Sequence, residues 1–162
     1  MDIGTERLRP EHLPLAARWL GRGEGALTPN DLPSEAGLLP GWLAAREAEP
    51  GRLDCLALVY ETAVGLAGLR REDGQDDRAA LYLLLGEVNY NLQRTATYVT
   101  LRMLDRAFLE MPYHRVSIRV YERQGWFLEV LERMGFSPTE SRGELCCLTV
   151  EKAAFLERKY LF

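Results

Sequence analysis

The sequence predicts an α/β fold, a mixed sheet with helices packed against it, and three stretches carry that reading. Two apolar runs, 54–60 and 63–69, lie close enough to pair as an antiparallel hairpin. A nearly continuous apolar run at 79–86 has the look of a strand covered on both faces. It is followed by a helical stripe of Leu101, Leu104, Phe108 and Met111, then by the alternating run Val116, Ile118, Val120. Strand, helix and strand in that order form a right-handed crossover with parallel strands.

The remaining elements follow from local signals. Residues 5–10 read as a short first strand, and Leu13, Ala16, Ala17 and Leu20 as one face of a helix ended by Gly21. The stretch 21–40 is rich in glycine and proline and reads as loop, with a broken helix resuming over 39–47 and Trp42 as its apolar anchor. Glu61-Thr62 separates the two hairpin runs, and the charged segment 70–78 suits an exposed turn. The crossover helix is expected over about 95–111, because Thr95–Thr100 has strand-like propensity and Pro112 stops the run. Phe127, Val130, Leu131 and Met134 form an i, i+3, i+4, i+7 stripe with Gly135 as C-cap. A last strand at 144–150 and a terminal helix at 152–160 complete the chain.

A length of 162 residues suggests one domain over 1–162. The formal net charge of -4 argues against a dedicated nucleic-acid binder, which needs clustered Lys and Arg. Met1–Leu20 lacks the apolar run of a secretion signal, and no segment approaches the roughly 18 consecutive apolar residues of a spanning helix. The expectation is a cytoplasmic protein with no membrane partner. Cys55 and the adjacent Cys146 and Cys147 read as small, buried, reduced thiols. Neither His12 nor His114 sits at metal-ligand spacing, so no metal is expected.

A crossover unit gathers unpaired N–H groups and the positive end of a helix dipole at the loop 91–97. Pyrophosphate matches that geometry, although any such helix end also serves when merely capped. Here the phrases Ala107-Phe108, His114–Glu122 and Glu132-Arg133-Met134-Gly135-Phe136 matter. With Arg7-Leu8-Arg9-Pro10 and Arg18-Trp19-Leu20, their order and spacing resemble the GNAT N-acetyltransferase superfamily. The branch most resembled is the one that acetylates the N-termini of ribosomal proteins. The resemblance implies a mixed, mainly antiparallel central sheet flanked by helices, in which two splayed parallel strands admit the pantetheine arm of acetyl-CoA. It also allows a homodimer.

By that resemblance, main-chain groups of Leu83, Leu84 and Leu85 would pair with pantetheine. The phosphate-cradling pattern Q/R-x-x-G-x-G/A falls on Asn91, Leu92, Gln93, Arg94, Thr95 and Ala96. Ala96 satisfies its last position, while Arg94 replaces a glycine. That guanidinium either offers a charged fork to phosphate or stands exposed on a loop that cradles nothing. The tyrosine that protonates the departing sulfur in many such enzymes is Leu131 here, which has no proton to give and reads as core. Gln124 stands where an asparagine usually hydrogen-bonds the cofactor.

Direct attack on a thioester needs a neutral amine and hence a nearby base. Glu87 is the best-placed carboxylate, and it equally reads as a solvated loop acid. Tyr90 and Tyr121 are hydroxyls near the same edge, or packing groups. The functional expectation is an acetyl-CoA-dependent N-acetyltransferase acting on a primary amine, in a peptide N-terminus or a small molecule. The rivals are a catalytically impaired CoA-binding or regulatory module, favoured by Arg94 and Leu131, and a scaffold whose cleft is filled by its own chain.

Overall fold

The computed structural model describes residues 2–20, 27–87 and 91–162. Its elements run β1 (Ile3–Arg7), α1 (Leu13–Ala17), α2 (Leu39–Glu47), β2 (Leu53–Val59), β3 (Thr62–Arg71), β4 (Arg78–Leu85) and α3 (Leu92–Asp105). They continue through β5 (Arg115–Tyr121), α4 (Gly125–Arg133), β6 (Ser137–Arg142), β7 (Leu145–Glu151) and α5 (Lys152–Arg158). The seven strands form one sheet in the order β1-β2-β3-β4-β5-β7-β6. Among the described residues only the β4–β5 pair is parallel, and every other neighbour is antiparallel. The expected mixed, mainly antiparallel sheet with flanking helices is therefore present.

Strand alternation sends side chains to two separate cores. Leu81, Leu83 and Leu85 of β4, with Val116, Ile118 and Val120 of β5, face α3, α4 and α5. Leu101, Leu104 and Phe108 meet them from the crossover helix, and Phe108 packs on Phe155 with ring centroids 5.6 Å apart. On the opposite face Leu56, Leu66 and Leu84 pack under Leu13, Trp19, Leu39 and Leu43 of the α1 and α2 segments. Those segments cover the β1–β4 side of the sheet. The far side, around Ser117, Arg119, Cys147 and Thr149, lines an open cleft.

Several boundaries differ from the sequence reading. The first strand ends at Arg7 rather than Pro10, and a 3₁₀ turn at Pro10–His12 leads into α1. The hairpin turn is Tyr60-Glu61, one residue earlier than expected, with φ of 49 and 67 at its two residues. Both left-handed angles are what a type I′ hairpin requires, without the Asn-Gly signal that usually marks it. The crossover helix begins at Leu92, not 95, because Asn91 caps it and burial of Thr95, Val99 and Thr100 outweighs their strand-like propensity. Its end widens into a π turn over Arg106–Glu110.

The last strand is in fact a hairpin of two, β6 and β7, turning at Gly143 with φ +60. The sequence hid β6 because Ser-Pro-Thr-Glu-Ser-Arg is an edge strand exposed at every residue and carries no apolar alternation. Trp42 is only partly buried; Leu39 and Leu43 are the deep anchors of α2. Of the three free thiols Cys55 is buried, while Cys146 and Cys147 are half-exposed on β7, between β5 and the edge strand β6. Burial pushes the Cys55 thiol up from 9.0 to about 11.

Leu131 is fully buried on α4, and Gly135 at φ +109 closes the helix as expected. Leu131→Ala should therefore cost about 2–5 kcal/mol of stability by urea unfolding. A loss under 1 kcal/mol would contradict its place in the core.

Candidate active site

The β4–β5 ladder runs from Arg78↔Arg115 to Leu81↔Ile118 and then stops. Both strands continue past that point because each keeps its outer partner. β4 stays paired with β3 as far as Leu85↔Gly65, and β5 with β7 as far as Tyr121↔Leu145. The result is a fork whose inner edges carry main-chain groups without a strand partner. Such buried groups need partners. Two loop residues supply them. Leu83 N–H donates to Thr28 Oγ1 at 3.0 Å, and Tyr121 N–H donates to Leu27 O at 3.3 Å. Leu27 and Thr28 are both buried. The sequence reading missed them, because they sit in a stretch that reads only as loop.

Each site residue named from the sequence can now be placed. The side chains of Leu83, Leu84 and Leu85 are all core. Leu83 N–H points into the fork, so strand alternation turns the N–H of Leu84 toward β3 and that of Leu85 back to the fork. Leu84 is thereby removed from the edge. Asn91, Gln93, Arg94, Thr95 and Ala96 are brought together at the start of α3. Asn91 Oδ1 accepts from Arg94 N–H at 3.0 Å, which makes Asn91 the helix cap. The Arg94 guanidinium lies over the Tyr98 ring, 5.3 Å from its centroid, and so does not plug the fork. Thr95 Oγ1 is buried and has no hydrogen-bond partner among the described residues. Gln124 precedes α4, and its side-chain oxygen accepts from Trp126 Nε1–H at 3.2 Å.

Glu87 is tied to the segment after α1. Its Oε1 accepts from Trp19 Nε1–H at 3.0 Å and pairs with Arg18 Nη2 at 3.1 Å. The same tryptophan ring lies so close to Gly86 that an added Cβ would meet it at 2.1 Å. Tyr121 packs under the Arg123 guanidinium, 4.3 Å from its ring centroid. Tyr90 lies outside the described residues.

A cleft of about 790 Å³ opens on the α1/α2 face, its lining including Thr28 and the β5 residue Arg119, which follows the last β4–β5 pair. Its floor also includes Ala80, Tyr82 and Ser117. A buried ionic network braces one wall. Asp54 accepts from Arg52 Nε–H at 2.9 Å and from the Tyr82 hydroxyl at 2.6 Å, and Arg46 Nε lies 3.6 Å from it. Arg52 also pairs with Glu49 at 2.9 Å, and Arg46 with Asp31. Burial, then the adjacent Asp54 charge and the hydrogen bond to it, hold the Tyr82 hydroxyl well above the ordinary tyrosine range.

The fold recurs in solved structures. The Vibrio cholerae spermidine N-acetyltransferase, crystallised in complex with CoA and spermine, superposes with a TM-score of 0.81 over 95% of this chain and 98% of its own, at 12% identity. The fold is that of the GNAT N-acetyltransferases. A K23-Q34 chimera of that enzyme with hSSAT matches over 98% of this chain and 100% of its own, with a TM-score of 0.78 and 14% identity. An uncharacterized protein from Bacillus halodurans matches over 96% of this chain and 87% of its own, with a TM-score of 0.79 and 12% identity. No protein-family model and no curated protein sequence matches the chain. No helix among the described residues is long and apolar enough to cross a membrane.

The Tyr82–Asp54 contact has a pH signature. A tyrosine raised in the folded state keeps its proton after the unfolded chain begins to lose its own near pH 10. Its stabilising contribution is full below that pH and falls as pH rises toward the folded-state value. Wild type should lose stability more steeply than Tyr82→Phe above pH 10 in denaturant titrations. Parallel pH profiles for the two proteins would contradict this.

Proposed function

We propose that the chain is an acetyl-CoA-dependent N-acetyltransferase that transfers an acetyl group to a primary amine by direct attack. The observation that carries this reading is the fork after Leu81 and Ile118, at the crossover whose helix, α3, is 14 residues long and capped by Asn91. The residues present fit the cofactor with one exchange. The unpartnered Thr95 hydroxyl and the first-turn amides of α3 suit phosphate oxygens, and Arg94 stands beside them. Main-chain groups of Leu83 and Leu85 suit an amide-bearing arm, provided that Thr28 gives up its bond to Leu83. Trading one hydrogen bond for another is nearly neutral in free energy. Gln124 is a further amide partner.

Bound there, acetyl-CoA would supply an activated acyl group. The chain's own part is to exclude water from the fork, to place the amine in the adjoining cleft and to receive its proton. Glu87 is the proposed proton acceptor, held in place by Trp19 and Arg18. Leu131 donates nothing, so the sulfur either takes its proton from another group or leaves as a thiolate that is protonated outside the fork. The acceptor is a peptide N-terminus, as in the branch the sequence resembles, or a small-molecule amine.

A second reading has a specific observation behind it. The hold of Thr28 on Leu83, together with the buried Leu131, also suits a module that binds CoA or a partner without turnover. Thiol release separates the two readings, and Thr28→Val tests cofactor entry at the fork. It should lower the melting temperature of the free protein, because an unsatisfied buried N–H costs about 1–3 kcal/mol. It should also enlarge the stabilisation given by millimolar acetyl-CoA, which is about 2.7 kcal/mol when the ligand is at 100 times its Kd. Absence of any acetyl-CoA stabilisation in both proteins would remove the proposal. Stabilisation without thiol release across an amine panel would favour the module.

A further inference from the structure

The fork is bridged by the chain itself. Thr28 Oγ1 accepts from Leu83 N–H on β4, and Leu27 O accepts from Tyr121 N–H on β5. Both contacts lie beyond Leu81↔Ile118, where the ladder between the two strands ends. The Leu27 side chain is fully buried in the core shared with α3 and α4, whereas Thr28 lines the cleft on the opposite face. The pair therefore spans the gap in both directions, strand to strand and face to face. The residues that follow are fastened to α2. Asp31 pairs with Arg46, and its carbonyl accepts from Trp42 Nε1–H at 3.2 Å. Arg46 lies over the Trp42 ring, 4.1 Å from its centroid, and 3.6 Å from the buried Asp54. The Arg46 side chain is 8% exposed and that of Asp31 70% exposed, so the anchor is buried while the fastening it holds faces solvent. A contact of that kind opens readily, because water screens its exposed partner.

A bridge that satisfies the main-chain groups of the fork competes with any ligand that would use the same groups. We propose that residues 27–31 are an autoinhibitory strap: Leu27 and Thr28 plug the fork of the free protein, and Asp31, through Arg46 and Trp42, sets how often they leave it. This rests on the N-acetyltransferase reading and adds a control to it. The pantetheine arm enters only those molecules whose strap is out, and the apparent affinity for the cofactor is reduced by that fraction. Thr28, Pro29, Asn30 and Asp31 also line the acceptor cleft, so withdrawal of the strap reshapes the cleft wall in the same step. Asp31, Trp42 and Arg46 are positioning residues, acting on the cofactor only through Leu27 and Thr28.

The test is calorimetric titration of acetyl-CoA into wild type, Asp31→Ala, Trp42→Phe and the distant control Glu6→Gln, with circular dichroism to verify folding. Amide hydrogen exchange of the free proteins, read by NMR, accompanies it. Asp31→Ala should bind acetyl-CoA at least threefold more tightly than wild type, Trp42→Phe should shift in the same direction by less, and Glu6→Gln should change nothing. In free Asp31→Ala the Leu83 and Tyr121 amides should exchange at least threefold faster than in wild type, while the Ile118 amide, inside the ladder, keeps its rate. Cofactor binding by Asp31→Ala that is equal to or weaker than that of wild type overturns the inference, because the segment is then a wall of the bound site and not a competitor. Leu83 and Tyr121 rates that stay at the wild-type values, or that rise only together with Ile118, overturn it as well. If acetyl-CoA binds none of the proteins while Asp31→Ala frees the two amides, the strap stands as a plug of the fork and the transferase reading is the one that fails.

Discussion

The end of hydrogen bonding between β4 and β5 is the constraint on which the rest of the site depends. Neither strand stops there; each is carried onward by its other neighbour, β3 or β7. Divergence therefore leaves buried amides and carbonyls facing a gap, and a lost partner at each costs about 1–3 kcal/mol. The chain answers with Leu27 and Thr28, which lend a carbonyl and a hydroxyl to Tyr121 and Leu83. A side-chain hydroxyl is a replaceable partner in a way that a third strand would not be. The fork is thus closed enough to be stable and open enough to exchange.

The second organising feature is Asp54. It draws Arg46 from α2, Arg52 from the loop before β2 and the Tyr82 hydroxyl from β4 into one buried network. A buried charge group of this kind is weak evidence for net stability, because desolvation offsets much of the attraction. Its visible consequence is geometric: it fixes α2 over the sheet and gives the cleft a polar wall. The same wall engages Asp31 through Arg46 and Glu49 through Arg52.

Much of the fold was legible because the strongest signals are burial signals. The apolar run 79–86, the stripe Leu101–Met111 and the alternation Val116–Val120 each face a core, and the parallel pair follows from their order. The edge strand β6 has no buried face and left no trace in the pattern. At the site, the family resemblance pointed to Asn91–Ala96, but the start of α3 was misjudged, because the strand-like propensity of Thr95–Thr100 masked a helix that Asn91 caps. The role of Leu27 and Thr28 was not, because their partners are about 55 and 94 residues away and the contact is to main chain, which sequence does not encode. The ties of Glu87 to Trp19 and Arg18 are long-range in the same way.

The most direct measurement is an amide-resolved NMR titration of the protein with acetyl-CoA. The account predicts that the Leu83, Leu85 and Thr95 amide signals shift together, with Thr28 following as its hydroxyl is released. Saturating cofactor that leaves Leu83 and Leu85 unmoved would contradict it.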